Sequence, residues 1–173
     1  LLDSLKKAIS QKKLKAALDD IKVSKEIYRN GDNEERAALM KRNFFNYYNM
    51  ASHKKVFFKL GSNHLAKGIN LQTNLYDIGN AVYELAQRNE TKFANVYFMV
   101  RYTTAQGKII DDLYADEHEN PKVFNKLYDK EKWVLVDVRK LRTALRYDNS
   151  LTSDTYKLIE KYDYVLVSPE VMK

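Results

Sequence analysis

Cysteine is absent from the 173-residue chain. That excludes disulfide scaffolds, thiolate zinc sites and cysteine nucleophiles, without fixing a redox compartment, because a domain with one sizeable core needs no disulfide. Glycine and proline are scarce, at 5 and 2 residues. Phosphate-cradling loops need glycines at fixed spacing, and neither Gly-x-x-x-x-Gly-Lys-Ser/Thr nor Gly-x-Gly-x-x-Gly occurs; Gly-x-Ser-x-Gly and His-Glu-x-x-His are missing too. No cofactor is therefore expected. No apolar run reaches the roughly 20 residues that span a bilayer, and the opening Leu1-Leu2-Asp3-Ser4-Leu5-Lys6-Lys7 is not a signal peptide. No membrane partner is expected either. The first residue is not Met and the chain opens directly in helical sequence, which reads as the C-terminal fragment of a longer protein.

What is present supports one core: 45% of the residues are hydrophobic and 12% aromatic. Residues 3–29 place Leu5, Ile9, Leu14, Leu18, Ile21 and Tyr28 at loose three-to-four spacing among lysines and arginines, predicting an amphipathic helix. Asn30-Gly31 ends it, and Asp32 three residues before Glu35 starts a second helix whose stripe includes Leu39, Met40, Phe44, Tyr47 and Tyr48. Residues 1–30 are read as an N-terminal helix and 31–173 as an α/β domain.

Strand formers concentrate at 56–60, 94–102, 133–137 and 164–167, and Gln106-Gly107 is a turn leading to a short hairpin partner around Ile109-Ile110. Helical spacing covers 76–89, 138–147 and 153–162, the last capped by Thr152 or Ser153. Residues 111–132 read as an exposed excursion, with one helical turn starting at Asn120-Pro121. Alternation of apolar strands with helices predicts an α/β fold with a mostly parallel sheet of about four to five strands, covered on both faces.

Chemical candidates are few. His53 ends a basic stretch, and His118 sits in Asp116-Glu117-His118-Glu119, a run that reads as a solvated loop, so no metal is expected. His64 follows an apolar strand by four residues, in Leu60-Gly61-Ser62-Asn63-His64-Leu65-Ala66-Lys67-Gly68. Ligands of open α/β sheets bind beyond the carboxyl ends of strands, where an imidazole can shuttle a proton. A loop histidine that only shapes its turn fits the same spacing. Arg36 and Asn43 lie two helical turns apart and share a face, as a pocket wall or as solvated positions. Lys67 and Lys59 can attract a carboxylate or phosphate, and Asp137 with Arg139 reads as a pair holding the helix after its strand.

Taken in order, Arg36-Ala-Ala-Leu-Met40-Lys-Arg-Asn43, Lys55-Val-Phe-Phe-Lys-Leu-Gly-Ser-Asn-His64, Asp77-Ile-Gly79-Asn80, Val96-Tyr-Phe-Met-Val100, Leu135-Val-Asp137-Val-Arg139 and Tyr162-Asp163-Tyr-Val-Leu-Val-Ser-Pro169 resemble the second half of an erythromycin esterase-like protein. The resemblance covers roughly residues 34–170. It implies a hydrolase-like domain that adds water to an ester of a small-molecule substrate, with His64 catalytic and Asn63, Arg36, Asn43 and Lys67 binding substrate. His64 matches the second His of the family's His-Asn-x-His loop, whereas the first falls on Gly61 and the Asn is displaced to Asn63. The family's Gly-Glu-x-x-His-Gly segment is not in this chain. The resemblance therefore implies activity that depends on an upstream part of the same protein, whose absence would expose an apolar surface relieved by association with that part or by self-association.

Two other classes stand beside this one. The same fold without catalysis would be a ligand-binding or structural module, and Gly61 in the histidine loop favours it. Nucleic-acid binding is suggested by the net charge of +7, by 13 tyrosines and by lysines at 6, 7, 12, 13, 15, 22 and 25. Against it, those lysines scatter around the helix, Asp3, Asp19 and Asp20 dilute them, and most tyrosines fall on apolar stripes or strands.

Overall fold

The computed structural model describes residues 11–50, 55–114, 122–145, 147 and 151–169. The chain forms two compact units, Leu1–Lys55 and Val56–Lys173.

The first unit holds α1 (Gln11–Asn30) and α2 (Asn33–Met50). Gly31 takes φ +66°, and its N–H and that of Asp32 both return to the Ile27 carbonyl, so the chain turns without a side-chain clash. The Asp32 carboxylate accepts the Glu35 N–H at 2.9 Å and opens α2 as its spacing predicts. Ile27, Ala37, Leu39 and Phe44 are buried, while Leu14, Leu18 and Ile21 along α1 are about half exposed or more.

The second unit begins with one helical turn, α3 (Ser62–Leu65), and then α4 (Ile78–Arg88). Strands β1 (Val96–Met99), β2 (Tyr102–Ala105) and β3 (Lys108–Asp111) follow, then a 3-10 segment (Lys122–Leu127). Next come β4 (Val134–Asp137), a 3-10 turn (Val138–Leu141) running into α5 (Arg142–Leu145), α6 (Ser153–Lys161) and β5 (Tyr164–Val167). The class is α/β, but the sheet differs from the expected one. Its order is β1-β5-β4, three strands, with β1 parallel and β4 antiparallel to β5. Two helical segments rather than one separate β4 from β5, so the chain re-enters the sheet in the reverse direction.

Strands β2 and β3 form a separate antiparallel hairpin. Its turn residues Gln106 and Gly107 both have positive φ, 51° and 76°, the combination whose twist matches that of a hairpin. Residues 56–60 form neither a strand of either sheet nor a helix, and Phe57 is 90% exposed. Strand-forming side chains favour the extended backbone; a ladder needs a partner edge as well.

Nor do the described residues of this unit cover the sheet on both faces. Tyr97, Met99, Val165 and Val167 point into the core against Phe124, Val138, Leu158, Ile159 and Tyr162. The register aligns Phe98, Leu166 and Leu135 across the other face. There Phe98 is 52% and Leu135 60% exposed, and Trp133 tilts against Phe98 with ring centroids 5.2 Å apart. Arg139 lies over the Tyr164 ring, donates to its hydroxyl at 2.7 Å and grips Asp137 through two hydrogen bonds. That grip holds the Asp137 carboxyl down at about 2.

Candidate functional site

The site is assembled by a close approach of α4 to the turn α3. Gly79 permits it: a Cβ there would stand 2.3 Å from the Leu65 carbonyl carbon. Asp77 caps α4, its Oδ1 accepting the Ile78 N–H at 2.7 Å. Its other oxygen, Oδ2, lies 2.6 Å from Nδ1 of His64. Asp77 is buried, with its side chain 3% exposed against 18% for His64.

Further bonds fix the turn that carries the histidine. Tyr162 donates its buried hydroxyl to the Ser62 carbonyl, and burial pushes that phenol above its ordinary pKa. Asn95 donates to the carbonyls of Leu65 and Lys161 at 2.8 and 2.9 Å. Asn80 accepts the Gly68 N–H at 2.8 Å. The imidazole is thus oriented by a carboxylate that is itself held, on a backbone tied down at both ends.

His64 does not stand at the end of a central strand as its spacing suggests, because residues 55–61 before it form no strand of either sheet. Asn63 lies half-buried on the same turn. Gly61 has φ −55° and ψ 143°, open to any residue, and an added Cβ would meet only His64 Cδ2 at 3.8 Å. Lys67 is engaged from below: its Nζ is 2.5 Å from Asp163 Oδ1. Burial lowers the Lys67 pKa, overriding the attraction of that carboxylate. Burial also opposes the charge on Asp163, yet bonds from Lys67, the Asn95 N–H and Arg142 hold its carboxyl below the usual range.

Arg36 and Asn43 belong to α2 of the first unit, Arg36 half-buried over the Tyr28 ring and Asn43 exposed. His53 and the run 116–119 with His118 lie outside the described residues. Among the described residues no group of three or more His, Asp or Glu is placed to hold a metal, and no helix is long and apolar enough to cross a membrane. Spacing alone missed Asp77. Its signal was present in the sequence: an Asp immediately before an apolar helical stripe is an N-cap, and a cap carboxylate has a second oxygen to offer.

An α/β unit with a carboxylate-oriented imidazole is what the fold and geometry define. Compared with known proteins, the chain matches no family model, no curated protein and no solved structure.

Proposed function

We propose that the second unit is a hydrolase-like domain of the erythromycin esterase-like kind, in which His64 is the general base that adds water to an ester of a small molecule. The observation that supports this reading is the 2.6 Å contact between His64 Nδ1 and the capping carboxylate of Asp77. With Asp77 ionised, Nδ1 keeps its proton and Nε2 is the basic nitrogen. Water gives a proton to Nε2 as its oxygen bonds to the ester carbonyl carbon. The tetrahedral intermediate then collapses, the C–O bond to the leaving alkoxide breaks, and the imidazolium returns the proton to that alkoxide. Asp77 faces the imidazolium throughout and stabilises it. Asn63, one position before His64, is assigned to substrate contact.

Steady-state hydrolysis of a panel of activated esters by the full chain tests this. His64→Ala should lower kcat/KM by about 10²- to 10⁴-fold, the range for removing a positioned acid–base group. Asp77→Asn should lower kcat with little change in KM. No hydrolysis of any ester in the panel, or hydrolysis indifferent to His64→Ala with the fold intact by circular dichroism, would overturn the reading.

A further inference from the structure

Beside this turn, Lys67, Gly68, Tyr83, Arg142, Glu160 and Lys161 line a shallow concavity of about 370 Å³, at the lower end of the size range of small-molecule pockets. His64 is not among its walls, whereas Lys67, which the resemblance assigns to substrate binding, is.

The concavity gathers more positive charge than the protein around it uses. Asp163 takes one ion pair from Lys67 at 2.5 Å and a second from Arg142 at 3.2 Å. One carboxylate needs one cation, and Lys161 stands there as a third. Glu160, the carboxylate in the lining, accepts the Tyr156 hydroxyl at 2.7 Å and also attracts Lys161, so three cations stand against two carboxylates.

A donor inventory makes the surplus concrete. Arg142 spends Nε on the Ile159 carbonyl and Nη2 on the Tyr162 carbonyl and Asp163, which leaves both protons of Nη1 without a partner among the described residues. The Lys67 ammonium gives one proton to Asp163 and faces the Tyr83 ring at 5.6 Å. Lys161 gives one to the Ile69 carbonyl. Each ammonium has further protons to donate. Lys67 and Arg142 are also largely withdrawn from water, with side chains 12% and 32% exposed, where a charge-assisted bond is stronger than at an open surface.

We propose that this concavity binds an oxyanion, the carboxylate or phosphate group of a small molecule, through the Lys161 and Lys67 ammonium groups and the free Nη1 edge of Arg142. Asp163 stays in place beneath, holding two of the cations in position. Tyr83 supplies a flat apolar wall for the body of the ligand. Burial depresses the pKa of both lysines and a bound anion offsets that cost, so affinity should fall with rising pH before an exposed lysine would lose its proton.

The test is a titration of the full chain with inorganic phosphate and, separately, with acetate, at ionic strength fixed by chloride, followed through the backbone amides of Gly68 and Lys161. Lys67 and Arg142 are built into the fold, so the variants sit at the rim. Lys161→Gln should weaken saturable binding by about tenfold, as for loss of one charge-assisted bond. Glu160→Gln should strengthen it by a few-fold, because it removes a repelling charge, and His64→Ala should leave it unchanged. Saturation by phosphate alone identifies a phosphate site, and saturation by both anions a general oxyanion site. Shifts that do not saturate, or that ignore both Lys161→Gln and Glu160→Gln, would overturn the proposal even if the esterase reading stood.

Discussion

Tyr128 holds a buried hydroxyl with no hydrogen-bond partner among the described residues. Burial, aided by the nearby Asp112 carboxylate, pushes its pKa up to about 12. The folded state therefore resists ionisation at pH values where the unfolded chain, near 10.0, would already give up the proton. Stability from this group is full below about pH 10 and is lost as pH rises through about 12. Replacing it by Phe removes an unsatisfied polar atom and keeps the ring. Tyr128→Phe should be neutral to about 1 kcal/mol stabilising at pH 8 and should flatten the alkaline loss, as read from urea melts across that range. Among the site residues, His64 stood out in the sequence because so few candidates compete with it. Asp77 did not, since nothing local distinguishes a cap that also orients a histidine 13 positions earlier from one that only caps.

Local chemistry decides some elements here and leaves others open. The Asp32 box and the Gln106-Gly107 turn are readable because their signals act within four residues. Residues 56–60 read in sequence like a paired strand, yet they join neither sheet, because sheet membership is set by the tertiary arrangement and not by local propensity. Gly79 is the opposite case: composition and periodicity do not explain it, yet α4 can meet the Leu65 backbone only without a side chain. Gly79→Ala raises intrinsic helix propensity, but the 2.3 Å clash should prevail and cost about 3 kcal/mol, the upper range for overpacking. Thermal melts would report the loss. The downfield Nδ1 proton resonance of His64 should weaken alongside it, because Asp77 sits two residues before the displaced glycine.

At the scale of the molecule, the α/β class was visible in the alternation of elements, whereas strand direction was not. Direction depends on how many helical segments lie between strands and on which edge each strand joins, and the pair of segments before β5 reverses β4 against it. The pattern of apolar strands likewise implied two covered faces where the described residues of the unit cover one, since Phe98, Leu135 and Leu166 are as hydrophobic as their buried neighbours. The lone tryptophan, Trp133, stands at the margin of that open face, 47% exposed and against Phe98. The chain therefore carries its own optical gauge. Its emission should be red-shifted and readily quenched by acrylamide as long as the face is open to water, and anything that settles on Phe98 and Leu135 should shift the emission to the blue and slow the quencher. Coverage of one sheet face becomes a colour change in a single indole, readable without any label.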